Sequence, residues 1–325
     1  MIPYVSGVQV RTALPYPALI SALRQAFREN MQAPPRHVHT VSEKESTVLL
    51  LMPTWQPEGN MGVKLVTVTP GNPARQLPTV QSIFILFDTV TGVPLAMIDG
   101  EELTLRRTAA ASALASTYLS RADSATLLLV GTGTLAPYMA AAHCAARPIR
   151  NIKVWGRSLE KAEDAAHQLG LQDLQGVSVQ AVADLETAAR NADIISCATT
   201  STVPIVLGQW IRPGTHVDLV GGFKPNMREA DDKLISMSTV FVDTLAGTLA
   251  EAGDLLQPIA SGSFTADAIA AELAGLSSGR HAGRADAQQI TLFKSVGTGI
   301  EDLCAANLVW SATKPQTPAC EPLKS

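Results

Sequence analysis

One short glycine turn constrains the fold of this chain more than any other part of its sequence. Residues 127–130 are Leu-Leu-Leu-Val, the pattern of a buried strand, and they lead into a turn with Gly131 and Gly133 and then an alanine-rich helical pattern. Strand, glycine turn and helix in this order are typical of the pyrophosphate-binding turn of a dinucleotide-binding fold. Gly131 permits the sharp turn, Gly133 lets the backbone approach a diphosphate, and the small Ala136 allows close packing. Free N–H groups at the helix N-terminus suit phosphates, so the sequence predicts a bound dinucleotide, with a purely structural turn as the alternative.

The second strand of such a fold ends beside the adenosine ribose. Here residues 152–155 supply the strand, and Gly156, Arg157 and Ser158 follow it. An NAD-preferring site usually has an acidic residue at this place, whereas an arginine and a serine can hold a 2′-phosphate. The sequence therefore favours NADP(H) as the cofactor. NAD(H) stays possible, because Arg157 is alternatively a solvated loop residue or one that stacks on the adenine.

The composition is that of an ordinary globular protein. The chain has 325 residues, a formal charge of −4 and 46% hydrophobic residues, enough for two domains with sizeable cores. It has no basic patch interleaved with aromatic residues, so no nucleic-acid partner is expected. It begins without a signal-peptide pattern and has no apolar run of the ~20 residues that span a bilayer, which predicts a cytoplasmic protein without membrane contact. The four cysteines show no metal-binding spacing, so no metal site is expected.

The later part of the chain alternates between two patterns. From residue 124 to about residue 284, apolar strands alternate with amphipathic helices, which indicates βαβ units and a parallel sheet. We expect residues 119–295 to form a doubly wound Rossmann domain, with a loop at the Gly-, Ser- and Ala-rich stretch 277–287. The predicted strands are 127–130, 152–155, 177–179, 194–197, 215–220 and 240–243, and the predicted helices after the second strand are 159–169 and 184–190.

The earlier part of the chain has consecutive strands instead of βαβ repeats. A helix is predicted near 19–30, and a second helix at 103–119 leads into the Rossmann segment. Consecutive strands favour an antiparallel or mixed sheet, so the predicted fold class is α/β, with an α+β N-terminal domain over residues 1–118 beside the Rossmann domain. A substrate cleft is expected between the two domains. Residues 313–325 are predicted to be a disordered tail. The N-terminal strands are predicted at 47–52, 61–69, 79–88 and 94–98.

Three basic residues in this part are candidates for chemistry. Lys64 lies in an almost wholly apolar strand, on the same face as Val66 and Val68. An ammonium on such a face is costly unless it is paired, and desolvation lowers its pKa towards the range useful for proton transfer. The alternative is an edge-strand lysine that reaches water. Arg36 and Arg107 are suited to bidentate capture of a carboxylate, although an isolated arginine is more often solvated or ion-paired.

Short motifs along nearly the whole chain point to one family. The motifs occur at 62–67 with 70–73, 77–80, 99–100 with 107–110, the glycine turn, 155–158, 213–217, and 293–297 with 300–303. In this order they resemble the ornithine cyclodeaminase and mu-crystallin family. A resemblance over this length is far more specific than any single motif.

The resemblance implies a homodimer that binds a small amino or imino acid. The N-terminal domain would build the subunit interface and the substrate site, and the segment at about 296–312 would return to complete it. Arg36 and Arg107 would hold the substrate carboxylate, and Lys64 would orient the substrate and serve in proton transfer. The residues implied near the cofactor are Thr134 and Leu135 at the pyrophosphate, Thr199 and Thr200 after the fourth strand, and Ser295, Val296 and Gly297 near the nicotinamide.

One departure from the family pattern bears on the reaction. Cyclodeaminases of the family, and the related archaeal alanine dehydrogenases, carry an aspartate two residues past a glycine after the fifth strand. This aspartate looks like the proton-handling group at the amine, and this chain has Phe223 at its position. Phenylalanine cannot transfer a proton or pair with an ammonium, but it can line the apolar side of a ring-shaped substrate. The segment resembles that of family members that reduce pyrroline-2-carboxylate or piperideine-2-carboxylate. We therefore expect an NAD(P)H-dependent reductase of such a cyclic imine.

Two other functions stay open. An ornithine cyclodeaminase would convert L-ornithine to L-proline and ammonia, although the missing aspartate weakens this hypothesis. A non-catalytic NADPH-linked binder, as mu-crystallins are known to be, would need the glycine turn but neither Lys64 nor both arginines. The presence of all three favours an enzyme.

Overall fold

The computed structural model describes residues 1–29, 31–172, 174 and 176–314. Of the predicted tail, residues 315–325 lie outside the described part of the chain, and Thr313 still belongs to the last helix. Within the described ranges, no helix is both long enough and apolar enough to cross a membrane.

The N-terminal part forms a six-stranded mixed sheet covered by helices. Its strands lie in the order β1-β6-β5-β4-β3-β2, antiparallel except for the parallel pair β1 and β6. The elements are β1 (Tyr4–Val5), α1 (Gly7–Ala13), α2 (Tyr16–Ala26), β2 (His37–Ser42), β3 (Thr47–Trp55), β4 (Asn60–Val68), β5 (Val80–Asp88), β6 (Pro94–Asp99) and α3 (Gly100–Leu119).

Helix α3 joins the two parts of the molecule. Asp99 caps it, since its side chain accepts a hydrogen bond from the N–H of Glu102 at 2.9 Å. Most of the helix is buried, and its many alanines and serines allow close approach to α2 and to strands of the N-terminal sheet. Gly100 is needed at the start of the helix, because a Cβ there would lie 2.6 Å from the carbonyl carbon of Ser82.

The second part is an eight-stranded parallel sheet, which confirms the predicted Rossmann fold. Its order is β13-β12-β14-β11-β10-β7-β8-β9, and the order reverses between β7 and β10, where ligands bind in such sheets. The elements are β7 (Thr126–Val130), α4 (Ala136–Ala146), β8 (Asn151–Trp155), α5 (Leu159–Gly170), β9 (Ser178–Ala181), α6 (Leu185–Arg190), β10 (Ile194–Cys197), β11 (His216–Leu219), α7 (Asp232–Met237), β12 (Thr239–Val242), α8 (Leu245–Glu251), α9 (Gly253–Ser261), β13 (Ile269–Glu272), α10 (Leu273–Ser277), β14 (Thr291–Lys294) and α11 (Gly299–Thr313).

The structure contains elements that the sequence patterns did not predict. Strands β1, β2, β13 and β14 were missed, and β14 lies deep in the sheet, between β11 and β12. It has only four residues and they include a lysine, so its strand character depends on pairing with both neighbours. After β14 the chain turns back, and α11 packs against α2, α3, β3 and β4.

Candidate active site

A cleft of about 430 Å³ lies where the N-terminal sheet meets the carboxyl ends of the Rossmann strands. Both parts of the chain line it, and it brings together residues that are distant in the sequence. The predicted site residues that line it are Arg36, Lys64, Arg107, Thr134, Leu135, Thr199, Thr200, Phe223, Ser295, Val296 and Gly297. The other four, Gly131, Gly133, Arg157 and Ser158, are not among its lining residues and lie at the glycine turn and after β8.

The glycine turn has the geometry that a diphosphate needs. Gly131 has a φ of +124°, and a Cβ there would lie 2.7 Å from the carbonyl oxygen of Ala198. A Cβ on Gly133 would meet no atom within 4 Å, so the backbone is open on that side. Helix α4 begins at Ala136 without a side-chain cap. An uncapped helix N-terminus beside an open glycine backbone fits the pyrophosphate of a dinucleotide.

The segment after β8 presents one cationic side chain to solvent. Arg157 is exposed, directly after Gly156. Ser158 caps α5, because its hydroxyl accepts a hydrogen bond from the N–H of Lys161 at 3.3 Å. Of the two residues expected at the ribose, Arg157 is therefore the one with a charge available for a phosphate.

Lys64 is a buried lysine with a carboxylate partner. Strand β4 pairs with β3 on one side and β5 on the other, so the edge-strand alternative is wrong. The residue is 2% exposed, and Nζ donates to Oδ1 of Asp302 at 2.9 Å and to the hydroxyl of Thr104 at 3.4 Å. Burial and the guanidinium of Arg107 lower the pKa of Lys64 to about 8, while Asp302 limits the fall. A lysine with this pKa can both carry and release a proton near neutral pH.

Arg107 lies beside Lys64 and is held by two consecutive acidic residues. Its Nε is 2.9 Å from Oδ1 of Asp302, and its Nη1 donates to Oε2 of Glu301. Burial acts to lower the pKa of Arg107, but the two carboxylates outweigh it, so the guanidinium stays charged. Burial raises the pKa of Glu301 to about 7, against the lowering effect of Arg107. The result is a buried group of two cations and two acidic residues at the wall of the cleft.

Arg36 contacts the cleft from the segment before β2. Its Nη2 donates to the carbonyl oxygens of Val296 at 2.9 Å and Gly297 at 3.1 Å, and its Nε pairs with Glu251 at 3.0 Å. A substrate carboxylate would therefore have to share Arg36 with these partners. The same two residues, 296 and 297, are also held from the other side, because Asp243 accepts hydrogen bonds from both of their N–H groups.

The turns after β10 and β11 are fixed by a buried glutamate. Glu229 accepts hydrogen bonds from the N–H of Thr199 at 2.6 Å and from the N–H of Gly221 at 2.8 Å. Both of these residues line the cleft. Phe223 also lines it and is 41% exposed, so its ring borders the open side of the cleft.

Sequence reasoning missed the acidic residues that organise this site. They are Glu229, Asp243, Glu301 and Asp302. For the last two a signal existed, since they are consecutive acids that follow Gly299 at the start of α11. Acidic residues in the first turn of a helix are usually explained by their favourable interaction with the helix dipole. The sequence pattern alone therefore gives no reason to assign them a second role.

Comparisons with known proteins agree on a family. Residues 2–316 match the family model described as Ornithine cyclodeaminase/mu-crystallin family. A Delta(1)-pyrroline-2-carboxylate reductase of Colwellia psychrerythraea is 38% identical, over 94% of this chain and 97% of the relative.

Two solved structures have nearly the same fold. One is Thermococcus litoralis Delta(1)-pyrroline-2-carboxylate reductase in complex with NADH and L-proline, with a TM-score of 0.90 and 33% identity over 96% of this chain and 97% of that chain. The other is an archaeal alanine dehydrogenase dimer with bound NAD, with a TM-score of 0.88 and 27% identity over 96% and 95% of the two chains.

Proposed function

The chain belongs to the ornithine cyclodeaminase/mu-crystallin family, and from this premise we propose that it reduces a small cyclic imino acid, pyrroline-2-carboxylate or piperideine-2-carboxylate, to the L-amino acid. It is an NAD(P)-dependent oxidoreductase that acts on a C=N bond. The observation that carries the proposal is buried Lys64 beside Arg107, in a cleft that adjoins the glycine turn and that Phe223 lines.

Different residues of the cleft bind the substrate and supply the proton. Arg107, with a contribution from Arg36, binds the substrate carboxylate and so presents the imine to Lys64. A reduced nicotinamide, when bound at the glycine turn, would supply the hydride for the imine carbon. The nitrogen needs one proton, and the Lys64 ammonium donates it. The pKa of about 8 leaves Lys64 mostly protonated at neutral pH but makes it a better acid than a solvated lysine.

The cofactor that we propose is NADP(H), with NAD(H) as the alternative. Arg157 supports this choice, since it is exposed where the adenosine 2′-phosphate of NADPH would lie. The solved relatives hold NADH or NAD, so a nicotinamide cofactor suits the fold with or without the phosphate.

Phe223 is the argument against a cyclodeaminase. Conversion of ornithine requires oxidation of one amine, attack by the other, loss of ammonia and return of the hydride. A carboxylate at position 223 would handle the proton at the amine, and the phenylalanine there cannot. A pure binder is disfavoured for a different reason, because it would not need a buried lysine beside a buried arginine.

The test compares substrates on the purified protein. NADPH and NADH oxidation are followed with pyrroline-2-carboxylate and piperideine-2-carboxylate, beside ornithine with NAD and an ammonia readout. Lys64→Met serves as the control variant, because it keeps roughly the length of the side chain and removes the ammonium. We expect fast NADPH oxidation with a cyclic imine and no ammonia. Ammonia and proline from ornithine would show that the proposal is wrong.

We also propose that the active form is a homodimer. The N-terminal domain, residues 1–118 completed by about 296–312, would then build the interface, beside a Rossmann domain over 119–295. The archaeal alanine dehydrogenase of similar fold is a dimer, which supports this. Light scattering on the purified chain should give twice the mass of one chain, and a monomer that retains activity would contradict it.

A further inference from the structure

We propose that Asp302 is the positioning residue of the reaction, holding the Lys64 ammonium charged and pointed into the cleft while it fixes Arg107 beside it. The inference rests on the proposed function and adds a residue to it.

Asp302 joins three separate elements of the fold. It lies on α11, is fully buried, and its two carboxylate oxygens are 2.9 and 2.8 Å from Nζ of Lys64 on β4. Its Oδ1 is also 2.9 Å from Nε of Arg107 on α3. One carboxylate therefore contacts both the proposed proton donor and the proposed carboxylate clamp. Rotation of the Asp302 side chain would disturb both groups at once.

The charges around Lys64 show why this carboxylate is needed. From α3 the ammonium faces Thr104 and the guanidinium of Arg107, and the charge of Arg36 acts on it from the segment before β2. Both arginines disfavour a charged lysine, as does burial. Among the described residues, Asp302 is the carboxylate within ion-pair distance of Lys64. Without it, the buried ammonium would lose its compensating charge.

Glu301 provides a matched control at the neighbouring position. It is almost as buried as Asp302, and its ion pair is with Arg107, whereas the ion pair of Lys64 is with Asp302. A change at Glu301 should therefore weaken the carboxylate clamp without taking away the partner of the ammonium. A general effect of lost negative charge on the cleft would instead appear in both variants.

The first experiment measures kcat and KM for imine reduction against pH. Because Lys64 must be protonated to act, kcat falls above the pKa of Lys64. An opposite charge at this distance is worth about 1–3 pH units. In Asp302→Asn we expect this decline to move to lower pH by about one unit or more, with a higher KM from the loosened Arg107. Asp302→Glu should restore most of the pH profile. Glu301→Gln should raise KM and leave the position of the decline near that of the wild type.

The second experiment does not depend on the substrate. The pKa of Lys64 is measured by NMR on protein labelled with ¹³C at the lysine ε-carbons, with Lys64→Arg to assign the signal. A lower pKa in Asp302→Asn supports the inference even if the wild type fails to reduce cyclic imines, in which case only the proposed function is wrong. An unchanged pKa overturns the inference, whatever the activity. Asp302→Ser replaces Asp302→Asn if the latter does not fold.

Discussion

Replacement of Lys64 separates proton donation from binding. In Lys64→Met the ammonium is lost, and Asp302 keeps Arg107 as a partner 2.9 Å away. Loss of a general acid costs roughly 10²–10⁴-fold in rate. This is a rise of about 3–5 kcal/mol in the activation barrier. Stability should fall by less than the about 3–5 kcal/mol that an unpaired buried charge costs, because Asp302 keeps Arg107 as its partner.

Lys64→Arg is the control that tests the role of the proton. Arginine retains the positive charge opposite Asp302, but it does not release a proton at any pH where the protein is folded. We expect KM to stay near the wild-type value while kcat falls as far as in Lys64→Met. Wild-type kcat should be steady at neutral pH, where a group with a pKa of about 8 is mostly protonated, and should decline above that value.

The assay follows NADPH oxidation with a cyclic imine, and NADPH fluorescence reports cofactor binding separately. Both variants should bind NADPH with the wild-type affinity, because Lys64 lies on the N-terminal sheet and not at the glycine turn. If Lys64→Arg reduces the imine within a few-fold of the wild-type rate, Lys64 only orients the substrate and the reasoning is refuted.

Three further predictions follow from single positions. Gly131→Ala should weaken NADPH binding at least tenfold by fluorescence titration and lower Tm, because Gly131 has a φ of +124° and no room for a Cβ; wild-type affinity would contradict this. Gly297→Ala should raise KM, because the Cβ would displace the guanidinium of Arg107; an unaltered KM would show that this guanidinium does not bind the substrate. Arg157→Ala should raise the Kd for NADPH roughly 10–100-fold and leave the Kd for NADH unchanged. An equal change in both dissociation constants would show that Arg157 does not bind the 2′-phosphate.

Local patterns were enough for the fold class. The glycine turn at Gly131 and the alternation of strands and helices after it specify a parallel sheet, because each such pattern is complete within a few consecutive residues. The missed strand β14 marks the limit of this reasoning. Its four residues show no alternation of apolar and polar side chains. They form a strand because they pair with β11 on one side and with β12 on the other.

The candidate site was predicted in its basic residues and missed in its acidic ones. Lys64 stands out in the sequence, since a lone charge in an apolar strand is conspicuous wherever the strand lies. Asp302 does not, because an aspartate at the start of a helix is ordinary. Its role becomes visible only where α11 brings it to Lys64, across 238 positions of the chain.

The sequence by itself determined the fold class, the place of the glycine turn and the strand that carries Lys64, since each depends on neighbours along the chain. The tertiary structure alone decided that Lys64 is buried and paired with Asp302. It also decided that two consecutive acidic residues contact Arg107 and that Arg36 donates a hydrogen bond to the carbonyl oxygen of Val296. Such contacts depend on which elements cover one another, and the burial that lowers the pKa of Lys64 exists only once the chain has closed around it.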